Sequence, residues 1–361
     1  MIKVLHILGG TDIGGISRVI LTYYENMDRE QVHFDIAVKS KPGNDARMFI
    51  SMGSKVYRLP LKSKHPLRYA RILKAILDGN AYDAVHTNEG VTGYLALAVA
   101  RMSGVKKRIV HSHSANGDLK FHLSLRTLLS LWFTQMFATQ RIACGEAAAI
   151  SAFGDNNYKK HKIVILPNAI DVIKYKYDCA AGEKLRRRYS LENCYVLGMV
   201  TRISKEKNID FSIKLVEHLI KSQRKIKLII IGEGEEKERL EGLVESKGLS
   251  EYVLFLGKII GVEKYYSMMD LFLMPSLKEG YPVAAVEAIA AGLPVLISDH
   301  VTDELIFAKN VHYLSLSDMD QWIELAMKYD KSRERADNTE QLKLHELDIR
   351  DVSNKLYELY R

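Results

Sequence analysis

The segment LFLMPSLKEGYPVAAVEAIAAGLPVLI, residues 271–297, holds a strand, a loop, a helix and a second strand in one stretch. Leu271–Met274 and Val295–Ile297 are apolar without alternation, as parallel strands covered on both faces require. Between them Pro282 suits the first turn of a helix, where its missing N–H costs nothing. The amides from Gly280 through Tyr281 to Val283 then stand free at a helix N-terminus, where the dipole adds partial positive charge. That is an anion site made of backbone. Glu279 lies in the loop before it, and Glu287 about one turn inside the helix. A carboxylate beside a phosphate repels it unless it binds something else, and vicinal sugar hydroxyls are its natural partners.

The same alternation extends outward over nearly the whole chain. Strand-like runs occur at Ile2–Leu8, Val32–Val38, Lys55–Leu59, Asp83–Thr87, Arg108–His113, Arg141–Cys144 and Ile163–Leu166. Helix-period segments such as Ile16–Met27, Pro66–Leu77, Thr92–Met102 and Phe121–Ala138 separate them. The pattern pauses over the charge-rich Asp171–Asn193, then restarts at Tyr195–Val200 and continues through Lys227–Ile231, Val253–Leu256 and Val311–Leu316. This predicts an α/β protein of two Rossmann-like, doubly wound parallel-sheet domains. Residues 1–170 form the first, 171–194 an interdomain connection and 195–335 the second. The helices of 336–361 are expected to cross back to the first domain. Open parallel sheets bind ligands beyond the carboxyl ends of their strands. Two of them facing across a cleft would place the motifs just after strands, where they fall.

Three more segments follow strands. GMVTRISKEKN, residues 198–208, carries Arg202 and Lys207 behind the first strand of the second domain. GGTDIGGISR, residues 9–18, has glycines that let backbone approach a ligand, but not the G-x-G-x-x-G spacing of a dinucleotide fingerprint. RIVHSHS, residues 108–114, puts His111 and His113 on one face of a strand, with no third residue to complete a metal site.

Together these segments resemble the retaining, GT-B-fold glycosyltransferases of family 4, whose hallmark is E-G-x-P-x-x-x-x-E-A-x-A-x-G-x-P-V. Glu279, Gly280, Pro282, Glu287, Ala288, Ala290, Gly292, Pro294 and Val295 fit it. The resemblance implies that Glu279 contacts donor-sugar hydroxyls and Glu287 the ribose, while Arg202 and Lys207 neutralise the diphosphate without a metal. It implies that Gly14 and Gly15 meet donor phosphates or the acceptor, and that His113, with His111 as alternate, reaches the sugar. Pro167-Asn168-Ala169-Ile170-Asp171 is similar to the family's P-N-G-[IV]-D, with alanine replacing glycine. Asn88 stands where many relatives carry histidine. The implied activity is transfer of a hexosyl group, with retention, from a nucleotide-sugar donor, UDP-linked by preference, to a glycan or polyprenyl-diphosphate-sugar acceptor. No cofactor is implied, and the setting is surface-polysaccharide assembly such as exopolysaccharide or capsule. The competing readings are a nucleotide-sugar 2-epimerase-like isomerase, a nicotinamide oxidoreductase and a non-catalytic nucleotide-sugar-binding subunit.

Charge narrows the partners. The chain carries a net +8, with 23 Lys and Arg against 12 Asp and Glu in residues 1–170, but 29 against 32 in 171–361. A basic first half suits an anionic partner. No zinc-finger spacing or stacking motif points to nucleic acid. Lys120, His122, Arg126 and Arg141 surround the apolar Phe121–Ala138, which suggests docking on an anionic membrane surface, with core packing alone as the competing reading. No run is long enough for a signal peptide or a bilayer span, so a cytoplasmic protein, peripheral on the inner face of the plasma membrane, is expected. Cys144, Cys179 and Cys194 read as free thiols.

Overall fold

The computed structural model describes residues 1–11, 15–113, 125–222, 225–279, 281–329 and 334–361. Its contacts separate two units, Met1–Ala169 with Asp348–Arg361, and Ile170–Leu347. The first holds β1 (Ile2–Leu8), β2 (Val32–Val38), β3 (Val56–Arg58), β4 (Ala84–Thr87), β5 (Lys107–Ser112), β6 (Gln140–Ala143) and β7 (Val164–Ile165). They form one parallel sheet in the order β3-β2-β1-β4-β5-β6-β7. The second holds β8 (Tyr195–Val200), β9 (Ile226–Ile231), β10 (Val253–Gly257), β11 (Leu271–Met274), β12 (Val295–Ser298) and β13 (Val311–Leu314). Their order is β10-β9-β8-β11-β12-β13, again parallel. Both sheets start in the middle, wind to one edge, return and wind to the other. Two doubly wound α/β sheets are therefore present, as the alternation predicts.

Apolar strands without alternation become strands buried on both faces. In β1, Val4 and Leu8 join one core layer, while Leu5 and Ile7 join the opposite one. The first layer is closed by the helix Ile349–Tyr360, whose N-cap Asp348 accepts a hydrogen bond from the Arg350 amide. Its Ile349, Val352, Leu356 and Tyr360 are buried with Phe34 and Tyr24.

The unit boundaries differ from those read in the sequence. Residues 170–194 belong to the second unit rather than forming a separate connection. Their helix Cys179–Arg188 sends Arg186 inward to Asp270, 2.6 Å away, and both side chains are buried. Asp270 also accepts from the Val196 amide, and Arg186 donates to the carbonyl of Cys194. A charge-rich run thus holds one deeply placed arginine that fastens it to β8 and the start of β11. Residues 336–347 also stay with the second unit, where Leu342 and Leu347 enter its core. Of the thiols, Cys144 and Cys194 are buried and Cys179 is exposed.

Removing one partner of a buried pair leaves an uncompensated charge. Asp270→Ala should therefore destabilise the second unit by about 3–5 kcal/mol. Urea unfolding followed by circular dichroism measures it, and a loss below about 1 kcal/mol, typical of an exposed pair, would contradict the assignment.

Candidate active site

In the second unit the loops leaving the neighbouring strands β8 and β11 are stitched together. The Leu277 amide donates to the Glu206 carbonyl at 2.7 Å, and the Asn208 side-chain amide donates to the Pro275 carbonyl at 3.1 Å. This brings Lys207 to Glu279, with Nζ 2.5 and 2.6 Å from the two carboxylate oxygens, while the Ser276 hydroxyl donates to Oε1 at 2.7 Å. The loop after β8 is further pressed onto the loop after β9 by glycines. A Cβ at Gly232, whose φ is +145°, would lie 1.8 Å from the Thr201 carbonyl oxygen, so only glycine fits.

Glu287 lies on the helix Val283–Ala290, half-buried, with Tyr266 donating to its Oε2 at 2.5 Å. Burial raises its carboxyl, opposed by the hydroxyls of Tyr266 and Tyr175. Pro282 sits one position earlier than expected. It is the cap residue, not in the first turn, and its carbonyl accepts from the amides of Ala285 and Val286. Tyr281 is half-buried against the core, and Gly280 lies outside the described residues. Arg202 is not gathered to Lys207 by any described contact. It is 70% exposed and pairs with Glu235 in the loop after β9, at 2.9 Å.

In the first unit Gly14 lies outside the described residues, while Gly15 caps the helix Ile16–Glu25 with a φ of +74°. A Cβ there would meet nothing within 4 Å, so the requirement is conformational, not steric. His113 follows β5 and is buried with His111, their rings 3.8 Å apart. The stack continues through His86 on β4 to His6 on β1, at 5.4 and 4.6 Å. Tyr360 bonds both His86 Nδ1, at 2.6 Å, and His6 Nε2, at 3.2 Å. Burial lowers His6 to about 3 and His113 to about 4, and holds His86 and His111 well below the ordinary histidine value. All four are neutral near pH 7. Among the described residues no group of His, Cys, Asp and Glu is arranged to hold a metal ion. Ala169 is not among the residues of positive φ, so its turn does not need the glycine that it lacks.

Residues 13–174 match the family described as Glycosyltransferase Family 4, and residues 183–339 match Glycosyl transferases group 1. The glycosyltransferase-type protein EpsF of Bacillus subtilis (strain 168) is 33% identical over 84% of this chain and 80% of its own length. The chain belongs to the GT-B glycosyltransferases. A second relative, 26% identical over 89% of the chain and 86% of its own length, is the UDP-Gal:alpha-D-GlcNAc-diphosphoundecaprenol alpha-1,3-galactosyltransferase of Escherichia coli. In fold, the glycosyltransferase is similar to Anabaena Alr3699/HepE in complex with UDP-glucose, with a TM-score of 0.79 and 18% identity over 99% of each chain. The membership favours sugar transfer over the isomerase and oxidoreductase readings.

The neighbours Tyr266, Ser276, Glu235, His6, His86 and Tyr360 were not read from the sequence. His6 and His86 did leave a signal, since each interrupts an otherwise apolar parallel strand. His111 is the outlier of the stack, as neither ring nitrogen has a partner among the described residues. A histidine held below its unfolded value of about 6.5 stabilises fully above that pH, and its contribution is lost as pH falls toward the folded value. His111→Phe should leave stability at pH 7.5 unchanged or higher and flatten its acid dependence by about 1.4 kcal/mol per pH unit below pH 6. Denaturation midpoints at several pH values measure this, and an unaltered acid slope would refute it.

Proposed function

We propose that this glycosyltransferase moves a hexosyl group, with retention and without a divalent metal, from a UDP-linked donor to a lipid-linked glycan acceptor. The observation that carries the reading is the Lys207–Glu279 pair, formed between the loops that leave β8 and β11, with Glu287 on the helix that follows. In this reading Glu287 takes the ribose hydroxyls, oriented by Tyr266, and Glu279 takes the sugar. Lys207 and Arg202 meet the diphosphate, together with the amides of Gly280 and Tyr281, the Val283 amide being taken up by the Tyr281 carbonyl at 2.9 Å. The Arg202–Glu235 pair is exposed and screened by water, so a diphosphate readily exchanges for Glu235. Two cations near the leaving group supply the stabilisation that other enzymes draw from magnesium. Gly14 and Gly15 let backbone approach the donor phosphates or the acceptor, and His113 meets the sugar. The acceptor hydroxyl attacks on the face that the diphosphate leaves, and a leaving phosphate oxygen takes its proton. The UDP-glucose complex of the Anabaena neighbour and the diphosphoundecaprenol-linked acceptor in the E. coli relative's name support the two substrate classes.

The test is a thermal-shift panel of UDP-, GDP- and ADP-sugars with and without EDTA, followed by transfer assays on the donor that binds. A UDP-sugar should stabilise the protein equally in both conditions, and turnover should persist in EDTA. Glu287→Ala should weaken donor binding by ten- to a hundred-fold, or about 1.5–3 kcal/mol. Turnover that disappears in EDTA and returns with magnesium would end the metal-free reading, and unchanged affinity in the variant would end the ribose assignment.

The acceptor class implies work at a membrane, on the cytoplasmic face where nucleotide sugars are made. No helix among the described residues is long and apolar enough to cross one. The helix Leu125–Phe137 instead exposes Leu128, Leu129, Trp132 and Met136, although core packing had been the competing expectation. At 3.6 residues per turn these four fall within an arc of about 100°, one apolar face of the kind that lies in an interface. Lys120, Phe121 and His122 lie outside the described residues, as does the side chain of Arg126. Co-sedimentation should rise with anionic lipid content, fall with salt and fall again in Trp132→Ser. Binding indifferent to lipid charge and salt, or none, would point to a soluble acceptor.

A further inference from the structure

We propose that Asn88 is the positioning residue that fixes on which nitrogen His113 carries its proton, through a one-way hydrogen-bond chain that ends at His86. The inference rests on the reading of His113 as the side chain that meets the sugar, and it identifies which of its nitrogens can do so.

Asn88 directly follows β4 and is buried. Its side-chain nitrogen faces the backbone carbonyls of Ile7 and His86, each at 3.4 Å. An amide oxygen would face repulsion there, so the orientation of the amide is settled. Oδ1 is then the atom 2.9 Å from His113 Nε2. It can only accept, so Nε2 carries the proton. A neutral imidazole has one proton, which leaves Nδ1 as a lone pair. The Asn168 atom 3.4 Å from Nδ1 is its Oδ1, an acceptor, so with the proton on Nε2 this amide must turn over and present its nitrogen to Nδ1.

The chain continues away from His113. The Asn88 nitrogen also lies 3.4 Å from His6 Nδ1, which makes that atom an acceptor and puts the His6 proton on Nε2. His6 Nε2 then donates to the Tyr360 oxygen, and the Tyr360 hydroxyl donates to His86 Nδ1. Every donor points the same way, and such chains polarise one another. Among the described residues, the ionisable groups around His113 are the imidazoles of His111, His86 and His6. None of these supplies a negative charge to hold an imidazolium. Nδ1 of His113 can then only accept, so a sugar hydroxyl that displaces the Asn168 amide suits it and a phosphate oxygen is repelled.

Two measurements test this separately. In the wild-type protein, nitrogen-15 correlation spectra of the histidine rings at pH 7.5, with His113 assigned by its disappearance in His113→Gln, should show the Nε2–H tautomer. An Nδ1–H tautomer or an imidazolium would overturn the proposal whether or not the enzyme transfers sugar. Asn88→Asp, nearly isosteric, sets a carboxylate against the ring and should draw it toward the imidazolium. We expect kcat to fall ten-fold or more at pH 7 with donor KM changed less than three-fold, and the loss to shrink as pH rises. An equal loss at every pH in a variant with a wild-type melting curve would mark Asn88 as structural only and sink the positioning role. Absence of transfer by the wild type with any nucleotide sugar would count against the sugar role of His113, while the spectra would still decide the tautomer.

Discussion

In a parallel sheet that winds outward from its middle, the two loops leaving the central pair of strands must depart to opposite faces. The gap between them is the one place at the carboxyl edge where backbone does not already fill the space. Both sheets of this protein obey that constraint, between β1 and β4 in the first and between β8 and β11 in the second. In the second, the gap is where Lys207 meets Glu279. In the first, the loops beyond β1 and β4 carry Gly15 and Asn88. The fold and the placement of its chemistry are thus one consequence of strand order.

The two sites use opposite electrostatic means. In the second unit, charge is balanced locally by short, half-buried contacts, with Lys207 against Glu279 and Tyr266 against Glu287. Such groups are held in place yet remain able to exchange partners for a charged or hydroxylated ligand. In the histidine layer of the first unit, burial disfavours charge. Four buried imidazoles are kept neutral, and order comes from the direction of hydrogen bonds instead. A neutral, directional network can present one chosen lone pair without adding charge beside it.

Much of this was legible in the sequence because it is local. Apolar runs gave the strands to within a residue or two, and residues 276–295 carried the glutamate block complete. What was not legible depends on pairings across distance. Nothing in residues 198–208 says that Arg202 will lie against Glu235 in the next loop. The run Glu183–Arg188 reads as an interdomain connection with a short helix, and composition does not reveal that one arginine of the set turns inward to Asp270. The contact between His6 and Tyr360 joins positions at opposite ends of the sequence, and a lone histidine in a strand does not name its partner.

That last contact has a bearing on the order in which the molecule is made. The helix bearing Tyr360 completes the core of the first unit, yet it is encoded after the whole of the second. At translation rates of about 5–20 residues per second, the ribosome spends roughly ten to thirty-five seconds on residues 170–347 before that helix emerges. Through this interval Phe34, His6 and His86 wait without their cover. The nascent first unit therefore lacks this part of its core until the chain beyond the second unit has emerged.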